Sequence, residues 1–214
     1  MIHHLIQLLS TTIGTSSAED KQFRISTTGL SAYAFPINGP NVLVSDTTIG
    51  LNEWHHVAYV YDGTQEGLYV DGSRVASRAW SNGYNGSHNI SNSPNSVNYV
   101  GATYRWDSGY ISGAFIGLLD TVRISTIARY SGDSFTAPTG DLASDQYTNL
   151  LYNFNEPVGS TTITDESGNG RDGTLGVGFT GATSPEFVPE PSSILAMLMG
   201  LSGIGGVALR RSRR

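Results

Sequence analysis

The chain has 214 residues, a formal net charge of −6 and no cysteine. Residues 1–190 contain all 18 acidic residues and only 8 of the 12 basic residues, which gives this part a net charge of −10. This balance argues against binding to nucleic acid, because phosphate contacts need clustered Lys and Arg. The absence of cysteine excludes disulfides, thiol catalysis and cysteine-based metal sites.

The first ten residues, MIHHLIQLLS, lack the features of a secretory signal. They contain two histidines and no Lys or Arg before the apolar residues, whereas a signal peptide has a positive start and a longer apolar core. We expect the natural protein to have further residues upstream of Met1, including an export signal. The alternative is that Met1 is the true start and that this copy is not exported.

The body of the chain is predicted to be all-β. No window has a sustained 3.6-residue apolar period, and short runs rich in Val, Ile, Tyr, Phe and Thr alternate with Gly, Asn, Asp and Ser. Asp-Gly or Asn-Gly pairs at 62–63, 71–72 and 85–86 favour tight hairpins. The number and length of the runs indicate an antiparallel sandwich or jelly roll. The predicted strands are Gln22–Ser26, Leu30–Phe35, Val42–Ser45, Trp54–Tyr61, Gly67–Val70, Arg74–Ala79, Asn98–Tyr104, Phe115–Ile127, Leu150–Phe154 and Thr174–Val177.

Two separated stretches have the residues of a known family. The first is LNEWHHVAYVYDG at 51–63, continued by LYVDG at 68–72, and the second is GLLDTVRIS at 117–125. Together they resemble the laminin-G-like, concanavalin A-like jelly roll, which has a W-x-H-V-A strand, a Y-x-D-G hairpin and a G-x-x-D-x-V-R-I strand. The resemblance implies a laminin-G-like antiparallel sandwich in residues 1–148 that lacks its opening strands, with Trp54 in its core.

Catalysis is not expected. Glycosidase chemistry uses a pair of carboxylates, and laminarinase-like relatives of the family have E-x-D-x-x-E on one strand, a spacing that does not occur in this chain. Asp120 stands alone among apolar residues. His55 and His56 are adjacent, so they would point to opposite faces of a strand and could not share a metal ion. A glycoside hydrolase of the same fold remains the alternative.

A long polar loop is the predicted ligand-binding region. Residues 81–98 are rich in Ser, Asn and Gly, and such loops carry binding functions when a rigid sheet holds their ends. Sugars stack on exposed aromatic rings beside amides and carboxylates. The predicted ligand-binding residues are Trp80, Tyr84, Tyr104 and Trp106. The alternative is that these rings fill the sandwich core or pack within the loop.

A third stretch follows the recognised motifs. LLYNF at 150–154 and DESGNGRDG at 165–173 resemble the opening of another such domain. Too few residues precede the C-terminal tail to complete one. Residues 149–187 are therefore either a partial second repeat or closing strands of the first sandwich. We favour the closing strands, because an exposed sheet edge is a liability.

The same stretch contains a candidate calcium site. Asp165, Ser167 and Asn169 place oxygens at alternate positions before Gly170, like the first half of a calcium loop, and Asp172 could add a ligand. The terminal bidentate Glu of an EF-hand is absent. The alternative is a hydrogen-bonded Asx and glycine turn without metal.

The C-terminal tail, residues 188–214, is predicted to be a processing and membrane signal. Its 16 uncharged residues at 194–209, with the two preceding serines, would form a helix of about 27 Å, close to the roughly 30 Å core of a bilayer. Basic residues after the span hold the C-terminus in the cytoplasm. The elements of the signal are Pro189, Glu190, Pro191, Arg210, Arg211, Arg213 and Arg214.

In that order, the Pro-Glu-Pro motif, the apolar span and the arginine cluster resemble the PEP-CTERM sorting signal of bacterial exported proteins. The resemblance implies insertion into the inner membrane, recognition and removal of the tail by an exosortase, and a final place at the cell surface or in a biofilm matrix. A plain membrane anchor is the alternative. We therefore predict an exported, non-enzymatic binding or scaffold protein with carbohydrate or another surface polymer as its ligand; a purely structural matrix protein is a further alternative.

Overall fold

The computed structural model describes the backbone of residues 4–6, 10–12, 21–26, 29–34, 42–79, 97–105, 110–112, 115–176 and 185–188. Side chains are described within 23–25, 29–32, 43–79, 99–102, 115–176 and 185–188. All regular structure in this part of the chain is β. The strands are β1 His4–Ile6, β2 Ser10–Thr12, β3 Lys21–Ser26, β4 Gly29–Ala34, β5 Val42–Val44, β6 His55–Tyr61, β7 Gln65–Val70, β8 Ser73–Ala79, β9 Val97–Tyr99, β10 Thr103–Arg105, β11 Tyr110–Ser112, β12 Val122–Ser125, β13 Thr148–Tyr152, β14 Thr162–Ile163 and β15 Gly173–Thr174.

Two larger sheets are present. The five-stranded sheet has the order β5-β4-β3-β2-β9, and all of its pairs are antiparallel. The four-stranded sheet has the order β1-β6-β7-β8, in which β6, β7 and β8 are antiparallel and β1 runs parallel to β6. Three antiparallel pairs complete the described strands: β10 with β11, β12 with β13, and β14 with β15. The prediction of an all-β protein with antiparallel sheets is confirmed.

The core contains inward side chains from both large sheets. Phe23, Leu30, Ala32 and Leu43 come from the five-stranded sheet, and Val57, Leu68 and Val70 come from the four-stranded sheet. Alternate residues of a strand share one face, so β6 and β7 each present a row of apolar side chains to the opposite sheet. Burial of this apolar surface is the main force that holds the two sheets together.

The hairpins follow the Asp-Gly pairs. Between β7 and β8, Asp71 and Gly72 have φ values of 50° and 81°, the two positive angles of a type I′ turn. Between β6 and β7, Oδ1 of Asp62 accepts hydrogen bonds from the backbone of Thr64 and Gln65 at 2.8 and 2.7 Å. Residues 85–86 lie outside the described residues.

The structure differs from the predicted strands at several places in the chain. The stretch 115–127 forms a strand only at Val122–Ser125, and Ile116 within it is 95% exposed. The stretch 98–104 is split into β9 and β10 by a bend, at which the carbonyl of Gly101 accepts from the backbone N–H of Phe115 at 2.7 Å. Strands β1, β2, β11 and β14 are short and were not predicted, because their polar or brief segments give little periodic signal.

Trp54 corrects one expectation about the core. Its side chain is only partly buried and it directly precedes β6, while His56, Val57 and Ala58 are the buried residues of the same motif. The strand therefore begins one residue later than expected. The indole lies at the margin of the apolar interior rather than within it.

The chain divides into two compact units. The first comprises residues 1–154 and 164–172, and the second comprises residues 155–163 and 173–214. In the first unit β13 pairs with β12, with Val122 opposite Tyr152 and Ile124 opposite Leu150. The second unit contains the β14–β15 hairpin. Within the described residues, no helix has the length and apolar character needed to cross a bilayer; residues 194–209 lie outside that part.

Candidate functional site

Little of the predicted ligand-binding region lies within the described residues. Trp80, Tyr84 and Trp106 lie outside the described residues. The backbone of Tyr104 belongs to β10, opposite Ile111 of β11, and its side chain is outside the described part. The predicted sorting residues Pro189, Glu190, Pro191, Arg210, Arg211, Arg213 and Arg214 also lie outside it.

The predicted calcium ligands are brought together around a buried carboxylate. Oδ1 of Asp165 accepts hydrogen bonds from the backbone N–H groups of Leu151 and Ser167, both at 3.0 Å. Its Oδ2 accepts from the hydroxyl of Ser167 at 2.8 Å and from the N–H of Arg171 at 3.0 Å. Burial alone would raise the pKa of Asp165, but these hydrogen bonds outweigh it and the pKa is lowered.

The other predicted ligands hold the loop to β13. The side-chain amide of Asn169 donates to the carbonyls of Thr148 and Asn149 at 3.0 and 3.2 Å, and Nη1 of Arg171 donates to the latter carbonyl at 2.9 Å. Asp172 accepts from the N–H of Asp165 at 2.9 Å. In the described part of the chain, no three His, Asp or Glu side chains are arranged to hold a metal ion. This arrangement has the geometry of the hydrogen-bonded turn, and calcium binding stays a prediction that requires some of these contacts to be exchanged.

A second polar network surrounds Asn153, which directly follows β13. Its amide donates to the carbonyl of Leu142 at 3.2 Å and to Oε2 of Glu166 at 2.7 Å. Its Oδ1 accepts from the hydroxyl of Thr121 at 3.3 Å and from the N–H of Leu142 at 3.4 Å. Asn153 and Thr121 are buried, so each hydrogen bond satisfies a group that water cannot reach. This network joins the residues before β12 to those after β13.

The W-x-H strand and the Y-x-D-G turn meet at the start of β6. Oδ2 of Asp71, in the β7–β8 turn, accepts from Nδ1 of His55 at 2.7 Å, and its Oδ1 accepts from the backbone N–H of His56 at 2.8 Å. The same carboxylate therefore holds both the imidazole of His55 and the backbone of His56. One carboxylate connects the W-x-H strand to the Y-x-D-G turn.

His56 packs against two aromatic residues that follow the second motif. Its ring makes edge contacts with Tyr130 and Phe135, at centroid distances of 5.5 and 5.4 Å. Arg123 donates to the hydroxyl of Tyr130 at 3.2 Å, so the tyrosine proton is free to point towards Nε2 of His56, 3.3 Å away. Burial lowers the pKa of His56 to about 4, which keeps the ring neutral.

Glu66 is a buried charge that the sequence analysis missed. It is 2% exposed, and its two oxygens accept from the hydroxyl of Tyr59 at 2.6 Å and from Nε of Arg78 at 2.5 Å. Burial, followed by the nearby carboxylate, raises the pKa of Tyr59 far above its ordinary value. The signal in the sequence is the alternation of β7, which places Glu66 on the same face as Leu68 and Val70.

Comparison with known families assigns the two parts of the chain. Residues 6–133 match the laminin-G-like family of the concanavalin A-like lectin/glucanase superfamily. The chain belongs to this superfamily. Its C-terminal residues 187–214 match the PEP-CTERM protein-sorting motif, so both resemblances are confirmed. Searches of the curated proteins and of the solved structures found no match.

The match to the concanavalin A-like superfamily covers both motifs described above and ends before β13. The Asp71 and His56 contacts lie within the matched region. The Asp165 loop and the Asn153 network lie between the matched domain and the PEP-CTERM motif, and they belong to the same compact unit as the domain.

Proposed function

We propose that the protein is exported, processed by an exosortase and retained at the cell surface or in the extracellular matrix, where its concanavalin A-like domain binds a carbohydrate or another surface polymer without catalysing a reaction. The observation that carries this proposal is the presence of a concanavalin A-like domain and a PEP-CTERM motif on one chain. The motif implies export, membrane processing and an exosortase as partner.

Two features support binding rather than catalysis. The sequence lacks the spaced carboxylates of the laminarinase-like relatives. Glu66, a buried carboxylate on the inward face of the sandwich, contacts Tyr59 and Arg78 through both oxygens. Both oxygens of this carboxylate are therefore already engaged by side chains of the protein.

The export proposal is tested by replacing Pro189, Glu190 and Pro191 with alanine in the exported full-length protein. In a host with an exosortase, we expect the wild type to lose mass at its C-terminus and to leave the inner membrane. The variant should keep its full mass and remain membrane-bound. Equal processing of the two proteins would refute the role of the motif.

The binding proposal is tested with an array of glycans and a hydrolysis assay on the glycans that bind. We expect retention of at least one class of polysaccharide and no release of reducing ends. Hydrolysis would favour the glycosidase alternative. A complete lack of binding would favour a structural matrix protein.

A further inference from the structure

The Glu66–Arg78 pair lies at the margin of the sandwich core. Glu66 is opposite Tyr61 on β6 and opposite Arg78 on β8, and cross-strand partners share one face of a sheet. The next inward positions are Leu68 and Ala76, which belong to or pack against the core. The polar cluster formed by Tyr59, Glu66 and Arg78 therefore continues the core face where apolar packing ends.

This cluster is an unfavourable choice if its role is stability alone. Removing a carboxylate and a guanidinium from water costs several kcal/mol per ion, and apolar replacements of a buried pair are often neutral or stabilising. Tyr59 and Arg78 hold both oxygens of Glu66, so this carboxylate is fixed as well as buried. A fixed and costly ionic group at the edge of an apolar face is therefore a candidate for a role other than stability.

Arg78 is the member of the cluster that can reach a ligand. Its side chain is 29% exposed, whereas that of Glu66 is 2% exposed. A guanidinium has five N–H donors in a fixed plane, and within the described residues Nε is the donor that contacts Glu66. The remaining donors form a fork whose direction is set by the buried carboxylate. Such a fork suits two oxygens of one ligand.

The charge of the site indicates the class of ligand. Glu66 neutralises Arg78, and residues 1–190 carry a net charge of −10, so a polyanion would be repelled. Neutral hydroxyl groups have no such penalty. Beyond Arg78, β8 ends at Ala79 and the chain enters the segment 80–98, which the sequence analysis predicts to carry ligand aromatics.

We propose that Arg78, held by Glu66 and Tyr59, is a binding residue for the hydroxyl groups of a neutral polysaccharide at the margin of the sandwich. The inference rests on the proposed carbohydrate binding and assigns that function to residues and a ligand class. Glu66 and Tyr59 are positioning residues that fix the guanidinium. The pair is retained for recognition, at some cost to stability.

The test compares binding with folding stability in the full chain. Soluble neutral glucan, mannan and galactan are the probes, and the variants are Arg78→Lys and the double variant Glu66→Gln with Arg78→Met, in which Gln still accepts from Tyr59. We expect Kd for the bound polysaccharide to rise about tenfold or more in both variants, as for a lost hydrogen bond to a charged group. The midpoint of chemical unfolding of the double variant should stay equal or rise.

Arg74→Lys is the matched control, because Arg74 lies on the same strand, pairs with Asp133 and has a similarly exposed side chain at 27%. Its Kd should equal that of the wild type. Binding that survives in both Arg78 variants would overturn this inference and leave the proposed function intact. A double variant that loses stability and keeps its affinity would assign the pair a structural role. A wild type that binds none of the probes would overturn both proposals.

Discussion

At the scale of single residues, Asp71 and Gly72 connect three parts of the sandwich. The Asp71 carboxylate holds the start of β6, while the carbonyl of Gly72 accepts from the N–H of Phe135 at 2.8 Å. A Cβ at position 72 would lie 2.1 Å from the carbonyl oxygen of Phe135, whereas one at Gly63 would meet nothing within 4 Å. Both glycines have positive φ, so the comparison separates backbone strain from steric conflict.

Gly72→Ala should therefore destabilise the protein more than Gly63→Ala. Positive φ at a non-glycine residue costs about 1–3 kcal/mol, which both variants share. The Gly72 variant must also displace the segment around Phe135, and we expect an additional loss of about 2 kcal/mol. Chemical unfolding of the two variants measures the difference. Equal losses of stability in the two variants would mean that the segment around Phe135 moves away from the turn without an energetic penalty.

His56 predicts a pH dependence of stability. Its pKa is lowered by burial from 6.5 to about 4 in the folded state, so the unfolded chain binds the proton more readily. Stability from the neutral ring is complete above pH 6.5 and decreases as the pH falls towards 4, by about 1.4 kcal/mol per pH unit. His56→Gln cannot titrate, so the free energy of unfolding measured between pH 7 and 4 should fall less in the variant. If the free energies of unfolding of the wild type and the variant fall equally with pH, His56 is not buried as a neutral ring.

Calcium binding at Asp165, Ser167, Asn169 and Asp172 remains a prediction. A site with these ligands would be weak, with Kd of about 10⁻⁴–10⁻³ M. At a concentration ten times Kd, binding to the folded state alone would add about 1.4 kcal/mol. Tm measured with calcium should exceed Tm measured with chelator, and equimolar magnesium serves as the control. Identical Tm values would leave the loop as the hydrogen-bonded turn seen in the structure.

At the scale of elements, β13 is the strand that extends the family domain. It pairs with β12, and Leu150, Leu151 and Tyr152 are buried. The Asp165 loop is hydrogen-bonded to the backbone of β13, and the Asn153 network directly follows the end of β13. Its pairing covers an edge of β12 that would otherwise offer free backbone groups. That residues 149–187 are closing strands rather than a partial second repeat stays a prediction.

Leu151→Ala should show that this strand is integral to the fold. Leu151 is 1% exposed, and truncation of such a side chain costs about 2–5 kcal/mol. Leu51→Ala is the matched control, because Leu51 is 65% exposed and its truncation should change stability by less than about 0.5 kcal/mol. A single cooperative unfolding transition with a lowered midpoint is expected for Leu151→Ala. A midpoint equal to that of the control would separate β13 from the cooperative unit.

At the scale of the whole molecule, the chain combines an acidic β-sandwich with a basic, apolar tail. The four C-terminal arginines reduce the net charge from −10 for residues 1–190 to −6 for the full chain. The PEP-CTERM match gives this tail a role in sorting. Membrane insertion of residues 194–209 as a helix stays a prediction of the sequence.

The double variant Leu198→Arg with Leu201→Arg should abolish the membrane insertion of residues 194–209. A charged residue at the centre of a span costs about 2.5–3.5 kcal/mol, so two of them exceed what the short apolar segment can offset. In a host without an exosortase, the wild-type chain should sediment with membranes and the double variant should not. Val158→Arg, at a position 65% exposed in the body, is the control and should sediment like the wild type. Sedimentation of the double variant would argue against a membrane span.

The sequence by itself determined the fold class, the family and the sorting tail, because each depends on local order. Runs of β-branched residues predict strands, Asp-Gly pairs predict hairpins, and the tail is defined by three elements in succession. Tertiary structure decided the rest, since burial depends on residues far apart in the chain. It placed Trp54 at the margin and His56 inside, paired β13 with β12 across 22 intervening residues, and filled the oxygens of Asp165 with hydrogen bonds. The tertiary structure also buried Glu66 beside Arg78. The register between β7 and β8 brings these two charges together, and the periodicity of a single strand does not predict that register.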